Sequence, residues 1–163
     1  MAFWFHSSGV RTIVCLADFS SKEVIKMSQQ ELNPSQIGLI TELRCISFLL
    51  ERGWNVLTPQ GNYTKYDLVI EKNNHFYRIQ CKHAIPCEDA FRVRTWYSIR
   101  GSNVKQKYTL KDCDYFMTEY DNKFYIFPLF NTVETKFWFR ESQSKIIKMA
   151  KDYLAENILN QLG

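Results

Sequence analysis

The sequence predicts one α/β domain, and three observations carry that prediction. An apolar helical period with punctuation at both ends spans residues 35–52, two strand pairs are joined by short Asn-containing turns, and helical spacing returns over residues 141–161. The chain has 163 residues, 45% hydrophobic and 23% charged, which is enough for a single sizeable core. Six glycines and four prolines exclude collagen-like and low-complexity classes. No run approaches the ~18 apolar residues of a membrane helix; the best stretch, residues 124–130, contains Pro128.

The elements follow in chain order. Residues 1–30 are expected to be a dispensable extension of a domain that spans 31–163. The first positive charge is Arg11, so residues 1–30 are not expected to act as a secretory leader. Asn33 is a good helix N-cap, Pro34 suits the first helical position, and Gln36 completes a capping box. Ile37, Ile40, Leu43, Ile46 and Leu50 then trace one helical face, and Gly53 ends it. A short strand over 54–57 stops at Pro59-Gln60-Gly61. Residues 66–71 and 75–82 form a hairpin across Asn73-Asn74, because Asn tolerates positive φ. Residues 114–120 and 123–129 pair likewise across Asp121-Asn122. A closing helix over 141–161 carries Ile146, Met149, Tyr153, Leu154 and Ile158.

Five cysteines, at positions 15, 45, 81, 87 and 113, form no Cys-x-x-Cys pair, and their odd number leaves at least one unpaired. They read as reduced thiols of a cytoplasmic protein rather than as zinc ligands. The net charge of +4 is mild, but its placement is not. Between residues 82 and 111, Lys82, Arg92, Arg94, Arg100, Lys105, Lys107 and Lys111 face only Glu88 and Asp89, a local surplus above that of the whole chain. Such a surface fits a polyanion.

With Asn73 and Asn74 in the turn, Asp67 falls directly opposite Gln80, where Cβ atoms lie ~4.5–5.5 Å apart. Lys82 is two residues beyond Gln80 and shares its face, whereas Tyr77, Ile79 and Cys81 point to the core. One strand face therefore gathers a carboxylate, an amide and an ammonium, and Glu42 on the first helix is a second candidate carboxylate. Singly, each has a plainer role: Asp67 as a strand-start residue, Glu42 as a solvated helix former, Gln80 and Lys82 as an exposed strand face. Together they suit metal-assisted phosphodiester hydrolysis, in which a hard cation takes oxygen ligands and a lysine offsets developing negative charge.

Helix with Glu42, then Tyr66-Asp67, then Gln80-Cys81-Lys82 resembles the core of the PD-(D/E)xK nucleases. Within that superfamily the chain is similar to the cyanobacterial-type group I intron homing endonucleases, which share Gln at the position of Gln80. The resemblance implies a restriction-endonuclease-like fold, a mixed central β-sheet flanked by helices. It implies Asp67 as the main metal carboxylate, Glu42 holding the ion from the helix, Gln80 offering its side-chain oxygen, Cys81 its backbone carbonyl, and Lys82 assisting the nucleophile. Mg²⁺ is the implied cofactor, with Mn²⁺ as substitute. Tyr66 stands where the motif name has Pro, and Gln80 removes one negative charge from the site.

The basic segment 88–111 is then the expected DNA-contacting part. Arg92 and Arg94 alternate with Phe91, Val93 and Thr95 as on a strand with one basic face, Arg100, Lys105 and Lys107 follow, and Gly101-Ser102-Asn103 makes a loop tip. The aromatics Trp96, Tyr97 and Tyr108 are expected to pack rather than stack on bases. Lys136, Arg140, Lys145, Lys148 and Lys151 are expected to be a solvated helix face. The predicted partners are double-stranded DNA and further copies of the chain, as a homodimer or homotetramer, since one centre per chain faces two strands. No membrane partner is expected. Readings that compete with a site-specific endonuclease are a Holliday junction resolvase, a restriction-type enzyme, and a DNA-binding module whose nuclease centre has decayed through Gln80.

Overall fold

The computed structural model describes residues 32–61, 63–99, 101, 102, 104–140 and 148–163. The extension 1–30, with Cys15, lies outside them, as do Arg100, Asn103, Lys145 and Ile146.

Helix α1 (Pro34–Glu51) begins on the anticipated cap: Asn33 Oδ1 accepts from Gln36 N–H at 3.0 Å, and Gln36 Oε1 accepts from Asn33 N–H at 2.9 Å. Gly53, at φ +71°, turns the chain out of the helix in a conformation that suits glycine. Asn33→Ala is expected to lower unfolding free energy by about 1 kcal/mol, read as a fall in urea midpoint at unchanged m-value.

The packed face of α1 follows the apolar stripe of the sequence only in part: Ile46 packs against the core, but Leu43 and Leu50 do not. Thr41, Cys45, Phe48 and Leu49 are buried, whereas Leu39, Leu43 and Leu50 are each more than half exposed. The buried set also has a three-and-four spacing, so periodicity alone could not choose between the two. The sheet beneath selects the face that carries Phe48.

That sheet has five strands. β1 (Asn55–Leu57), β2 (Leu68–Lys72) and β3 (His75–Cys81) are antiparallel neighbours, β3 and β8 (Tyr115–Tyr120) run parallel, and β9 (Lys123–Pro128) returns antiparallel. The two turns are as anticipated. Asn73 and Asn74 stand at φ 53° and 64°, Asp121 and Asn122 at 52° and 56°, the mirror-image turn that matches strand twist. The register Leu68↔Ile79 through Lys72↔His75 is the one that sets Asp67 opposite Gln80.

Parallel neighbours need a long crossover, and the β3–β8 crossover holds most of the basic segment. It contains β4 (Ala84–Cys87), β5 (Ala90–Arg94), β6 (Trp96–Ser98) and β7 (Lys105–Lys107). β4 and β5 join β10 (Glu134–Trp138) in a three-stranded sheet, and β6 pairs with β7. Phe91, Val93 and Phe137 from the small sheet pack with Phe116, Tyr125 and Phe127 of the main sheet. α1 and helix α2 (Ala155–Leu162) pack on the other side chains, Leu68, Ile70, Ile79, Met117 and Ile126. The main sheet thus has helices on one face and the three-stranded sheet on the other.

The closing segment departs from one continuous helix. Met149 is extended and bridges Trp138, Ala150–Tyr153 form a 3₁₀ turn, Leu154 is extended and bridges Tyr125, and only then does α2 begin. Helical spacing of apolar residues was present, but two of them satisfy backbone groups of neighbouring strands instead. Residues 141–147 of that expectation lie outside the described residues. Among the described residues no helix is long and apolar enough to cross a membrane.

Arg78 clamps the crossover's return. Its guanidinium donates to Asp114 Oδ1 at 2.7 Å, to Leu110 O at 2.7 Å and to Lys111 O at 2.8 Å, and its N–H donates to Asp114 Oδ2 at 2.8 Å. Burial raises the Asp114 pKa, but the Arg78 hydrogen bonds and charge together outweigh it and leave the group below its ordinary 3.8. A depressed carboxyl stabilises the fold above its unfolded pKa and loses that contribution as pH falls through the folded value. Asp114→Asn is therefore expected to cost about 1.5–3 kcal/mol at pH 7 and progressively less below pH ~4, measured by urea unfolding across pH.

Candidate active site

The strand geometry brings the anticipated residues together. Asp67 precedes β2, and its N–H donates to Ile79 O at 3.0 Å, extending the hairpin ladder by one pair. Gln80, 7% exposed, lies across from it on β3. Lys82 follows the strand end, and its N–H donates to Met117 O at 2.9 Å, so the parallel ladder fixes its backbone. α1 supplies Glu42, one residue past buried Thr41 and three before buried Cys45. Glu42 and Asp67 line one cavity of about 200 Å³ with Thr58, Pro59, Gly61, Thr64 and Tyr66.

The polar atoms converge on one point. Asp67 Oδ2 accepts from Gln80 Nε2 and, at 2.8 Å, from Cys81 N–H. Gln80 Nε2 also donates to Cys81 O at 3.1 Å. A single N–H₂ group thus stands between a carboxylate oxygen and a carbonyl oxygen, both hard donors. The Cys81 thiol is not among them: it meets Cys45 in the core, a contact that together with burial pushes its pKa well up. The site therefore presents oxygen without sulfur, a donor set that suits a hard divalent cation rather than zinc. Among the described residues no three His, Cys, Asp or Glu side chains cluster, because the third donor here is an amide.

Burial dominates the electrostatics of the three ionisable groups. Burial raises the pKa of Asp67 against the lowering effects of the Cys81 N–H and Lys82. Burial also raises that of Glu42, with repulsion from Asp67 adding to it. Burial pulls Lys82 down, with Asp67 working the other way. Two carboxyls held up by burial, with an ammonium held down near enough for its charge to act on Asp67, make this cluster the candidate site. A bound dication would reverse the carboxyl shifts.

Two features escaped sequence reasoning. Lys82 Nζ donates to the Tyr108 hydroxyl at 2.9 Å, a contact across the crossover that no local pattern announces. The wall made by Thr58, Pro59, Gly61, Thr64 and Tyr66 comes from the β1–β2 connection, where Pro59 and Gly61 signalled only a turn.

The basic residues divide by environment. Arg94 is exposed, and Arg92, partly exposed, lies 3.4 Å from Glu134. Lys136 lies on strand β10 rather than on the expected helix face, because the register Arg92↔Lys136 draws it into the small sheet, where it sits over Trp138. Phe91, Val93 and Thr95 are buried on the opposite face, as the alternation required. On β7, Lys105 lies over the Trp96 ring, and Lys107 donates to Asn131 Oδ1 at 3.1 Å. Tyr97 and Tyr108 pack edge to face. A larger cavity, about 560 Å³, is lined by Pro86, Tyr120, Asp121, Lys123, Tyr125 and Phe139; its one carboxylate and one ammonium make no comparable set.

A family model described as PD-(D/E)XK endonuclease matches residues 32–156. No curated protein matches the chain. Among solved structures, that of a bacterial homing endonuclease, I-Ssp6803I, is similar with a TM-score of 0.65 and 22% identity. The match covers 80% of this chain and 95% of that one. At that identity the likeness is one of fold.

Proposed function

The chain belongs to the PD-(D/E)XK endonuclease family, and from that premise we propose a site-specific, Mg²⁺-dependent endonuclease of double-stranded DNA that serves group I intron homing in the cytoplasm. The observation that supports it most is the convergence of Asp67, Gln80, the Cys81 carbonyl, Glu42 and Lys82 at the end of β3. Asp67 and the Cys81 carbonyl would hold Mg²⁺ directly, Glu42 from the helix side, and Gln80 through Oε1 after its amide turns over. Mn²⁺ fits the same donors. When bound, the cation supplies charge at the scissile phosphate and acidifies a water.

The remaining work falls to the chain itself. The Lys82 ammonium, half-buried beside Asp67, offsets charge that builds on phosphate oxygens and orients the attacking water. Burial strengthens that interaction relative to water. Arg92, Arg94, Arg100, Lys105 and Lys107 are assigned to the DNA backbone and groove edges, where they would give a salt-dependent affinity. One centre per chain and two strands per target favour a homodimer or homotetramer.

The homing reading is supported by the likeness to the fold of a bacterial homing endonuclease and by Gln80 in the third ligand position. A supercoiled plasmid carrying the uninterrupted form of the gene next to this reading frame tests it. A discrete linear product with Mg²⁺ or Mn²⁺, absent with EDTA, is expected. Salt-sensitive duplex binding without cutting in either metal would instead assign a non-catalytic DNA-binding module, and cutting of a four-way junction alone would assign a resolvase.

A further inference from the structure

We propose that Tyr108 is a positioning residue for Lys82, and that through it the β6–β7 hairpin sets the orientation of the catalytic ammonium. The proposal deepens the nuclease reading and rests on it. Tyr108 is the first residue after β7. Its hydroxyl accepts from Lys82 Nζ at 2.9 Å, and the ammonium lies 4.8 Å from its ring centroid. Among the described residues this is the hydrogen bond available to that ammonium.

Tyr108 is itself held on two sides. Phe116, 1% exposed and fixed in the core, meets its ring edge-on at 5.2 Å and 89°. Tyr97 of β6 meets it at 5.0 Å and 67°. The Tyr97 hydroxyl donates across the hairpin to Gln106 Oε1 at 2.7 Å, and Lys65 Nζ lies 4.1 Å from the Tyr97 ring. A continuous set of contacts thus runs from the hairpin to Lys82.

The register explains why this set can report on DNA. Trp96↔Lys107 and Ser98↔Lys105 place both lysines on one face of the hairpin, while Tyr97 and Gln106 share the other. One face exposes both lysines to solvent, Lys105 over Trp96 and Lys107 on Asn131, and the opposite face carries the ring that brackets Tyr108. A phenol also suits the role chemically. It accepts one ammonium N–H without neutralising the charge, as a carboxylate would, and leaves two N–H bonds for the phosphate and water. Burial, with the charge on Asp67 adding to it, holds the phenol pKa far above its ordinary value, so the group stays a neutral acceptor.

Tyr108→Phe keeps the ring and removes the acceptor. Its single-turnover cleavage rate at saturating enzyme is expected to fall roughly 10- to 100-fold, with metal-free duplex Kd and melting temperature unchanged. In ¹⁵N-labelled apoprotein the Lys82 ammonium is expected to give a resolved ¹H–¹⁵Nζ cross-peak, assigned by its loss in Lys82→Ala and broadened away in Tyr108→Phe. Tyr97→Leu, which leaves the hydroxyl but removes the bracket, is expected to lose less rate, again at constant Kd. Wild-type cleavage by Tyr108→Phe with the cross-peak intact would overturn the proposal. Wild-type cleavage by Tyr97→Leu would overturn the link to the hairpin. If the wild-type protein binds duplex without cutting, the nuclease reading falls by itself. The cross-peak then decides whether Tyr108 holds Lys82: its loss in Tyr108→Phe upholds the contact, and its persistence overturns it.

Discussion

Alanine at Lys82 is expected to slow strand cleavage by about 10³-fold, with duplex affinity in metal-free buffer nearly unchanged. Among the described residues Lys82 is the ammonium whose charge acts on Asp67, and burial already disfavours its charged state. A group kept charged against desolvation interacts strongly with whatever negative charge develops beside it, because little water competes. Arg94 and Lys105, exposed and proposed above to meet phosphates, are untouched by the substitution, so binding is expected to be spared. Asp67→Asn is expected to match this loss by a different route. It leaves the hairpin register intact but removes the central carboxylate, and raising Mg²⁺ should not restore the rate. Single-turnover cleavage beside a gel-shift titration separates the effects. A Lys82→Ala protein that cuts within tenfold of wild type would remove Lys82 from the chemistry.

Phe91→Ala is expected to be the most damaging core substitution, at about 3–5 kcal/mol by urea unfolding. Phe91 is fully buried and central to the aromatic layer between the two sheets. It stacks on Phe137 at 5.1 Å and Tyr120 at 5.0 Å, and touches Tyr125 at 4.7 Å and Phe139 at 5.8 Å. Truncation removes those contacts and leaves a void that four rigid rings cannot close. The same residue sits between Ala90 and Arg92 on β5, so looser packing there should also weaken duplex binding. A loss below 1 kcal/mol would mean that the small sheet is held by other contacts, the backbone ladder with β4 and β10 foremost.

Much of the site was legible because it is local. Asp67 and Gln80 are separated by a hairpin whose turn is set by two asparagines, and a two-residue turn fixes register without help from the rest of the chain. Lys82 follows from the period of two along β3. The cap of α1 is likewise a three-residue affair, written in Asn33, Pro34 and Gln36. The basic face of β5 was readable for the same reason, since alternation is a property of one strand.

What could not be read depends on which distant surface an element meets. Leu43 and Leu50 were as apolar as Phe48, yet the helix buries Phe48, which stacks on Phe124 at 4.1 Å. Met149 and Leu154 have helical spacing but are drawn into bridges with Trp138 and Tyr125, on strands outside the segment itself. β10 joined β5 across some forty residues without any local sign of its partner. The Lys82–Tyr108 contact closes only once the crossover has folded back, because it joins the end of β3 to the residue after β7. The sequence by itself determined the α/β class, the two mirror-image turns, the helix cap and the carboxylate–amide–lysine face, all of which are satisfied within a hairpin or a few helical turns. Only the tertiary structure decided which helix face is buried, how the basic crossover packs, and what holds the lysine, because those outcomes depend on surfaces brought together from distant parts of the chain.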